Sequence, residues 1–488
     1  MVFITTVLYN KLIEKSENNT SKLESIYRIN NRETYMKSLT KGKPLKVILA
    51  FAIPLYIGQL FQLFYGLVDT RIIGQTLGEA SLAAVGTTTS LSDLLIEFLN
   101  GFICGFGIII AHFFGAKDEK NLKKAIGGTV ILSLGITIAI SGIGLVFLPQ
   151  ILDFMNVSEE LSSEAYTYIR IIIIGLVATT FYNICAVILR AIGDSFTPLI
   201  FLIISNILNI VLDYFFILQL HTGVAGAAIA TVIAQGLSAI LCFGYMQKKY
   251  KLISFQKSNF AFDKAIYKEL LPTGLSMGFM ISFVTIGSLA LQTSINTLGT
   301  DIIVAHTAAR KITIMFLIPF FVLGTALATY CGQNLGAKEY GRIKQGIRDT
   351  ILAALGWCGI ALVILFMFSP YLVQLITASE TVQIIETATL YLKVNVIFYF
   401  LPAVICILRN SMQGFGDTKT PLVSSVIELI GKVMIAYLLV PVIGYFGVIV
   451  SEPIVWLFMV IPLVISIKKN PFKKMENRNT QYIDGEKI

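Results

Sequence analysis

About twelve apolar runs, each roughly 20 residues or longer, fill most of this sequence. That is the length an α-helix needs to cross the hydrocarbon of a bilayer. In the first half the runs fall near 47–68, 80–112, 124–148, 164–189, 197–219 and 223–246. In the second they fall near 266–296, 302–334, 346–368, 383–408, 419–441 and 445–467. Each is too long for a strand, and backbone polar groups in lipid must be satisfied within the segment itself, which predicts helices. Composition agrees: of 488 residues, 55% are hydrophobic and only 14% are charged, against about 25% charged in a soluble domain. The predicted fold is all-α: a polytopic membrane protein of about twelve transmembrane helices in two pseudo-symmetric six-helix bundles.

The net charge of +9 does not point to nucleic acid, because the basic residues sit in short clusters between the apolar runs. Lys117, Lys120, Lys123 and Lys124 form one cluster, residues 247–271 carry six lysines, and Lys338, Arg342, Lys344 and Arg348 form a third. The intervening loops lack such clusters, and 149–164 is acidic (Asp153, Glu159, Glu160, Glu164). By the positive-inside rule this alternation predicts an even number of spans in the plasma (inner) membrane, with both termini cytoplasmic. The expected organisation is a cytoplasmic tail over 1–46, a first bundle over 47–250, a cytoplasmic linker over 251–265, a second bundle over 266–467 and a cytoplasmic tail over 468–488. The 1–46 stretch makes a poor signal peptide, and Met36 is an alternative start. All six cysteines lie in or beside apolar runs without C-x-x-C spacing, which reads as small buried hydrophobes rather than disulfides or metal ligands. No metal and no cofactor are expected.

The halves repeat. Gly115-Ala-Lys-Asp returns as Gly336-Ala-Lys-Glu, an offset of 221 (336 − 115), and Leu77-Gly78 returns as Leu298-Gly299 at the same offset. The loop Gly193-Asp-Ser-Phe-Thr-Pro returns as Gly416-Asp-Thr-Lys-Thr-Pro, an offset of 223 (416 − 193). With about six spans per half, the repeat is parallel and its pseudo-axis lies along the membrane normal. In the G-D-x-x-T-P loop, Thr197 and Thr420 suit N-caps, and Pro198 and Pro421 suit the first helical position. A helix-hairpin turn is the expected role, with direct gating as the alternative.

Charged side chains inside a span are costly and mark function or pairing. Tyr65 and Asp69 lie four residues apart near the end of span one, as do Asn209 and Asp213 in span five, so each pair shares a helix face. Two such acids, with a tyrosine and an asparagine, can take up and release a proton or Na⁺; a satisfied structural hydrogen-bond network is the competing interpretation, and Asp69 can also sit at the external interface. In the second half, Glu428 and Lys432 form an i,i+4 pair in the favourable order, expected to be neutral and structural. Arg310 and Glu452 are further charges within spans. Asp93 and Glu97 share one face of span two, lining either a central cavity or an interface. Met and aromatic side chains of spans one, seven and eight (Phe61, Phe64, Met277, Phe279, Met280, Phe283, Met315, Phe316) offer adaptable packing and cation–π contact, or ordinary helix packing.

Val68-Asp69-Thr with Gly74 and Leu77-Gly78, the Arg190-Ala-Ile-Gly-Asp loop ending in Thr-Pro, and Asn209-Ile-Val-Leu-Asp213 together resemble the multidrug and toxic compound extrusion (MATE) transporters, over about residues 40–467. The chain is most similar to the DinF-like branch. That resemblance implies an ion-coupling and substrate network of Tyr65, Asp69, Asn209, Asp213 and Thr231, with Na⁺ held, if used, by Asp69, Asn209, Asp213 and Thr231. Read without the resemblance, Thr231 lies in a small-residue packing face. The other main branch has an acid in span seven, where this chain has none over 272–298. The implied function is export of small cationic or amphipathic compounds by antiport with H⁺ or Na⁺. It works without ATP, since no G-x-x-x-x-G-K-[ST] loop is present, and in a monomer within the lipid bilayer. The alternatives are a lipid-linked precursor flippase of the same wider superfamily and, remotely, a membrane-embedded enzyme, which would need a clustered nucleophilic set.

Overall fold

A computed structural model describes residues 38–155, 157–378 and 381–469. Of the expected tails over 1–46 and 468–488, residues 1–37, including Met36, and 470–488 lie outside the described residues. The first half contains α1 (Pro44–Leu77), α2 (Glu79–Gly115), α3 (Glu119–Val146), α4 (Glu159–Ala191), α5 (Phe196–Tyr214) and α6 (Val224–Lys249). The second contains α7 (Lys264–Ile295), α8 (Thr300–Gly336), α9 (Tyr340–Thr377), α10 (Val382–Ile397), α11 (Phe400–Gly414), α12 (Lys419–Met434) and α13 (Tyr445–Lys468). Among the described residues, eleven helices are long and apolar enough to cross a membrane, α5 and α12 together with the turns that follow them, and α10 with α11 makes a twelfth span bent by 57°. This is a multi-pass membrane protein. Large apolar side chains on outer faces, such as Val146, Val363, Met367 and Leu375, are more than half exposed, as lipid-facing residues should be.

Both repeat motifs have a physical role in this architecture. Gly193 and Gly416 adopt left-handed φ values of 92° and 94°, which end the preceding helix at low steric cost. The expected threonine caps are not formed. Asp194 caps instead, its Oδ1 accepting from the Phe196 and Thr197 amides, while Thr197 Oγ1 donates to Oδ2 at 2.6 Å. Asp417 repeats this with the Lys419 and Thr420 amides and Thr420 Oγ1. A carboxylate accepts from several donors at once, which a hydroxyl does not match. Pro198 and Pro421 therefore stand third in their helices, where the amide hydrogen they lack has no intrahelical partner.

The other repeated motif is where the halves cross. A Cβ built on Gly115 would lie 1.9 Å from the Gln333 carbonyl oxygen, and one on Gly336 would lie 2.0 Å from that of His112. His112 and Gln333 are themselves 221 residues apart (333 − 112), so α2 and α8 exchange equivalent contacts about the pseudo-axis. The seam continues where Gly105 meets Thr273 and Gly332 meets Ile108 and Ala111. Gln333, fully buried, ties it together: its Nε2 donates to the Ala191 carbonyl at 2.8 Å and its Oε1 accepts from the Leu39 amide. The seam thus closes the end that carries the Lys-rich loops, while the opposite ends of α1 and α2 stay exposed, as at Phe61, Phe64 and Leu67.

Gly336→Ala is expected to cost about 1–3 kcal/mol by forcing α2 from α8, lowering the thermal midpoint in detergent with helix content unchanged. Gly341→Ala, whose methyl meets nothing within 4 Å, is the control and should be neutral or slightly stabilising. Between the halves, Lys124 and Asp263 pair at 2.7 Å, and the Lys124 hydrogen bond holds the Asp263 carboxyl below the usual carboxylate range. This pair fastens the linker to the start of α3.

Candidate ion and substrate site

In the first half, three helices bring the five singled-out side chains together. α1 supplies Tyr65 and Asp69, α5 supplies Asn209 and Asp213, and α6 supplies Thr231. The spacing of four stacks each pair along one helix face. Tyr65 donates its hydroxyl hydrogen to Asn209 Oδ1. Asn209 Nδ2 donates to Asp213 Oδ1 at 3.5 Å and to Thr231 Oγ1 at 3.4 Å. The Asp69 and Asp213 carboxyl groups face each other within side-chain hydrogen-bonding range. Asp213 is 0% exposed and Asn209 3%. α1 runs to Leu77, further than the predicted span, so Asp69 lies about two turns inside the helix rather than at its end.

Two oxygens in this cluster, Asp69 Oδ1 and Asp213 Oδ2, are buried and meet no protein donor. Two carboxylates in contact away from water repel strongly at low dielectric. Their charge has to be met by a proton or a cation, since the nearest groups supply none. Every available ligand atom is oxygen, which suits a hard cation. Tyr168 of α4 lies within electrostatic reach of both carboxyls; nothing in the sequence separated it from the other tyrosines, because only packing places it there.

The second half holds the expected Glu428–Lys432 pair within a larger buried ladder. Glu428 and Lys432 meet at 3.0 Å, but Arg409 joins Glu428 at 3.2 Å, Lys432 also reaches Glu452 at 3.3 Å, and Arg310 closes on Glu452 at 3.2 Å. The ladder runs Arg409, Glu428, Lys432, Glu452, Arg310 through four helices. Arg409, Glu428, Lys432 and Glu452 are all buried, and the Arg310 side chain alone is 31% exposed. Arg409 also donates to Ser424, and Lys432 to Ser288. Arg409 went unnoticed in the sequence because it falls one residue past the predicted end of its span. At the 223-residue offset of the G-D-x-x-T-P loops, Lys432 occupies the place of Asn209 (432 − 209), so equivalent positions in the two halves carry different chemistry.

Asp93 and Glu97 are exposed on α2, as is Lys311 beside Arg310 on α8. Of the Met and aromatic side chains, Met277 and Met280 are buried packing, whereas Phe61, Phe64, Phe279 and Met315 are 41–58% exposed.

A family model described as MatE matches residues 54–215 and again residues 277–438. The chain belongs to the MatE family. The two matches are 223 residues apart (277 − 54), so the family model spans one half and this chain carries it twice, in line with the duplication seen in the fold. Among relatives, the probable multidrug resistance protein YoeA of Bacillus subtilis is 28% identical over 398 residues, covering 80% of this chain and 85% of that one. A MOP superfamily transporter from Pyrococcus furiosus is 25% identical, with a TM-score of 0.81, over 88% of this chain and 97% of that one. A structure described as the outward-facing conformation of a multidrug resistance MATE family transporter shares the fold, with a TM-score of 0.79 at 24% identity over 88% and 95% of the two chains.

Proposed function

We propose that this MatE protein exports small cationic and amphipathic compounds across the plasma membrane in exchange for inward-moving H⁺ or Na⁺. The observation that carries this reading is the facing pair Asp69 and Asp213, each with a buried oxygen that no protein donor meets. An ion entering this cluster neutralises repulsion between two helices, α1 and α5, and so favours the arrangement that brings the carboxyls together. Coupling requires this differential stabilisation of one state over another. Asn209, Tyr65 and Thr231 orient the pair through the hydrogen bonds among them.

Both termini lie on the cytoplasmic side in this reading, because the Lys-rich loops cluster at one end. The seam at Gly115 and Gly336 is then the closed cytoplasmic gate, and the cleft between the halves faces outward. Cation-attracting Asp93 and Glu97 and the exposed aromatics near Phe64 line that cleft on the first-half side. The whole apparatus lies within one chain, so a monomer suffices.

The test is efflux of ethidium from proteoliposomes under separately imposed pH and Na⁺ gradients. Efflux driven by at least one gradient, in the absence of ATP, is expected. Equal efflux with and without both gradients overturns ion coupling.

A further inference from the structure

The first helix of each half is led in by a short segment that the other half holds. Leu39, just ahead of α1, is 2% exposed and packs with Ile48 and Phe51 in the core of the second half, beside Tyr330 and Ile343. The far end of the same helix, at Ile72 and Ile73, packs in the first half with Val85 and Val224. α7 crosses the other way. The Asn259 carbonyl ahead of it lies so close to α3 that a Cβ on Gly127 would stand 1.9 Å from its oxygen. Asp263 pairs with Lys124 of α3, whereas Leu291 and Ile295 at the far end of α7 lie in the second-half core. Gly42 and Asp263 are 221 residues apart (263 − 42), so the crossing belongs to the duplication.

The segment ahead of α1 is held the more firmly. Gln333 Oε1 accepts from the Leu39 amide at 2.8 Å, and Asn334 Nδ2 donates to the Leu39 carbonyl at 3.3 Å. Arg342 of α9 spends its whole fork there. Its Nη1 donates to the Gly42 carbonyl at 2.8 Å, its Nη2 to the Leu39 carbonyl at 3.3 Å and its Nε to Asn334 Oδ1 at 3.0 Å. A planar guanidinium makes several such bonds with little further loss of freedom, and a charged donor strengthens each. These contacts lie at the seam itself: Gln333, whose carbonyl faces Gly115, also ties Ala191 of the first half. If the halves part at this end, Tyr65 and Asp69 hold α1 to α5 while residues 39–42 are held by α8 and α9. By comparison, the Lys124–Asp263 pair is 25% and 26% exposed, and such surface pairs contribute little.

We infer that residues 39–42 form a latch, fastened by Arg342, that holds the seam shut and releases when the cleft opens toward the Lys-rich loops. This rests on the export reading, in which the seam opens once in each cycle. The latch adds to the shut state bonds that the open state gives up to water, so it biases the equilibrium between the two. The equivalent segment ahead of α7 is the weaker fastening, so release of 39–42 dominates the cost of opening.

The test is amide hydrogen exchange, read by mass spectrometry, on the full-length protein in nanodiscs without substrate. Arg342→Gln is expected to speed exchange about tenfold along the seam, over 109–118 and 330–339, the effect of losing a charge-assisted bond from the shut state. At the outer ends, over 74–82 and 295–303, exchange should be unchanged or slower. Gly42→Ala strains the segment, because Gly42 has a left-handed φ of 87°, and leaves α8 and α9 untouched. It should give the same pattern by a smaller factor, and it carries the test alone if Arg342→Gln does not fold. A role of Arg342 confined to bracing α8 and α9 would leave Gly42→Ala without effect at the seam, which overturns the latch. So does faster exchange confined to 39–44, or spread equally over inner and outer ends. Arg342→Lys keeps the charge but cannot span three acceptors, and should behave like Arg342→Gln; wild-type exchange in it would overturn the role of the fork. Ethidium efflux is read separately: its absence in the parent protein counts against the export reading, while seam exchange alone decides the latch.

Discussion

Asp213→Asn is expected to reduce gradient-driven efflux by about 10- to 100-fold, the loss of a typical coupling free energy between two sites, with folded protein recovered at wild-type yield. The amide has the shape of the carboxyl and keeps an oxygen for the Asn209 Nδ2 hydrogen bond, so the contacts of α5 with α6 survive. What disappears is a group that can gain or lose charge. Asp213 is completely buried and faces Asp69; once it is neutral, the repulsion that an incoming ion relieves no longer exists. The same reasoning fixes the sign for stability. Removing one of two like charges in contact should leave the thermal midpoint unchanged or raised, whereas a purely structural network would lose stability. Asp69→Asn added to Asp213→Asn should cost little more than the single change, because the carboxyls act as one unit. The measurement is initial efflux from proteoliposomes with equal amounts of inserted protein, under pH and Na⁺ gradients in turn. Wild-type rates in Asp213→Asn would remove the role assigned to this residue.

Glu428→Ala carries the largest expected stability effect, about 3–5 kcal/mol, as when one partner of a buried ion pair is lost. Glu428 is 4% exposed and is shared by Arg409 and Lys432. Its removal leaves Arg409 without a carboxylate and raises the ladder's surplus from one positive charge to two. A marked fall in the yield of monodisperse protein and in the thermal midpoint should follow. The double variant Glu428→Gln with Lys432→Met returns the net charge to its original value and keeps a polar group near Arg409 and Ser424, so it should recover most of the loss. If Glu428→Ala is as stable as the parent, or if the double variant is no better, the ladder is not held by charge balance.

Much of this protein was legible in the sequence because the bilayer simplifies the problem. Lipid forces helices of near-fixed length, so the spans could be placed to within a few residues at most ends. The clearest departures are α1, which continues to Leu77, α9, which runs over Tyr340–Thr377 against an expected 346–368, and the tenth span, which breaks at Phe398 and Tyr399 into α10 and α11. Apolar periodicity carries no signal for such a bend. The capping of the G-D-x-x-T-P loops was misassigned because spacing alone does not show which of two neighbouring oxygens, Asp194 or Thr197, turns toward the free amides. Thr231 entered through the family resemblance; its own surroundings of Gly and Ala gave no chemical cue, and its hydrogen bond from Asn209 exists only because α6 packs on α5.

By itself the sequence determined that the chain is a duplicated, all-helical membrane protein, and it marked the charged residues too costly to bury without a reason. Helix formation, span length and intrahelical spacing are local, and local physics is written in consecutive residues. Which charges meet was decided only by the tertiary structure. Asp69 and Asp213 are 144 residues apart, and the ladder from Arg310 to Glu452 spans 142. Partners at such separations are chosen by how helices pack, since side-chain electrostatics acts through space and a list of residues holds no distances. The same packing gave Gly115 and Gly336 their meaning: a repeated tetrapeptide became the point where two halves close.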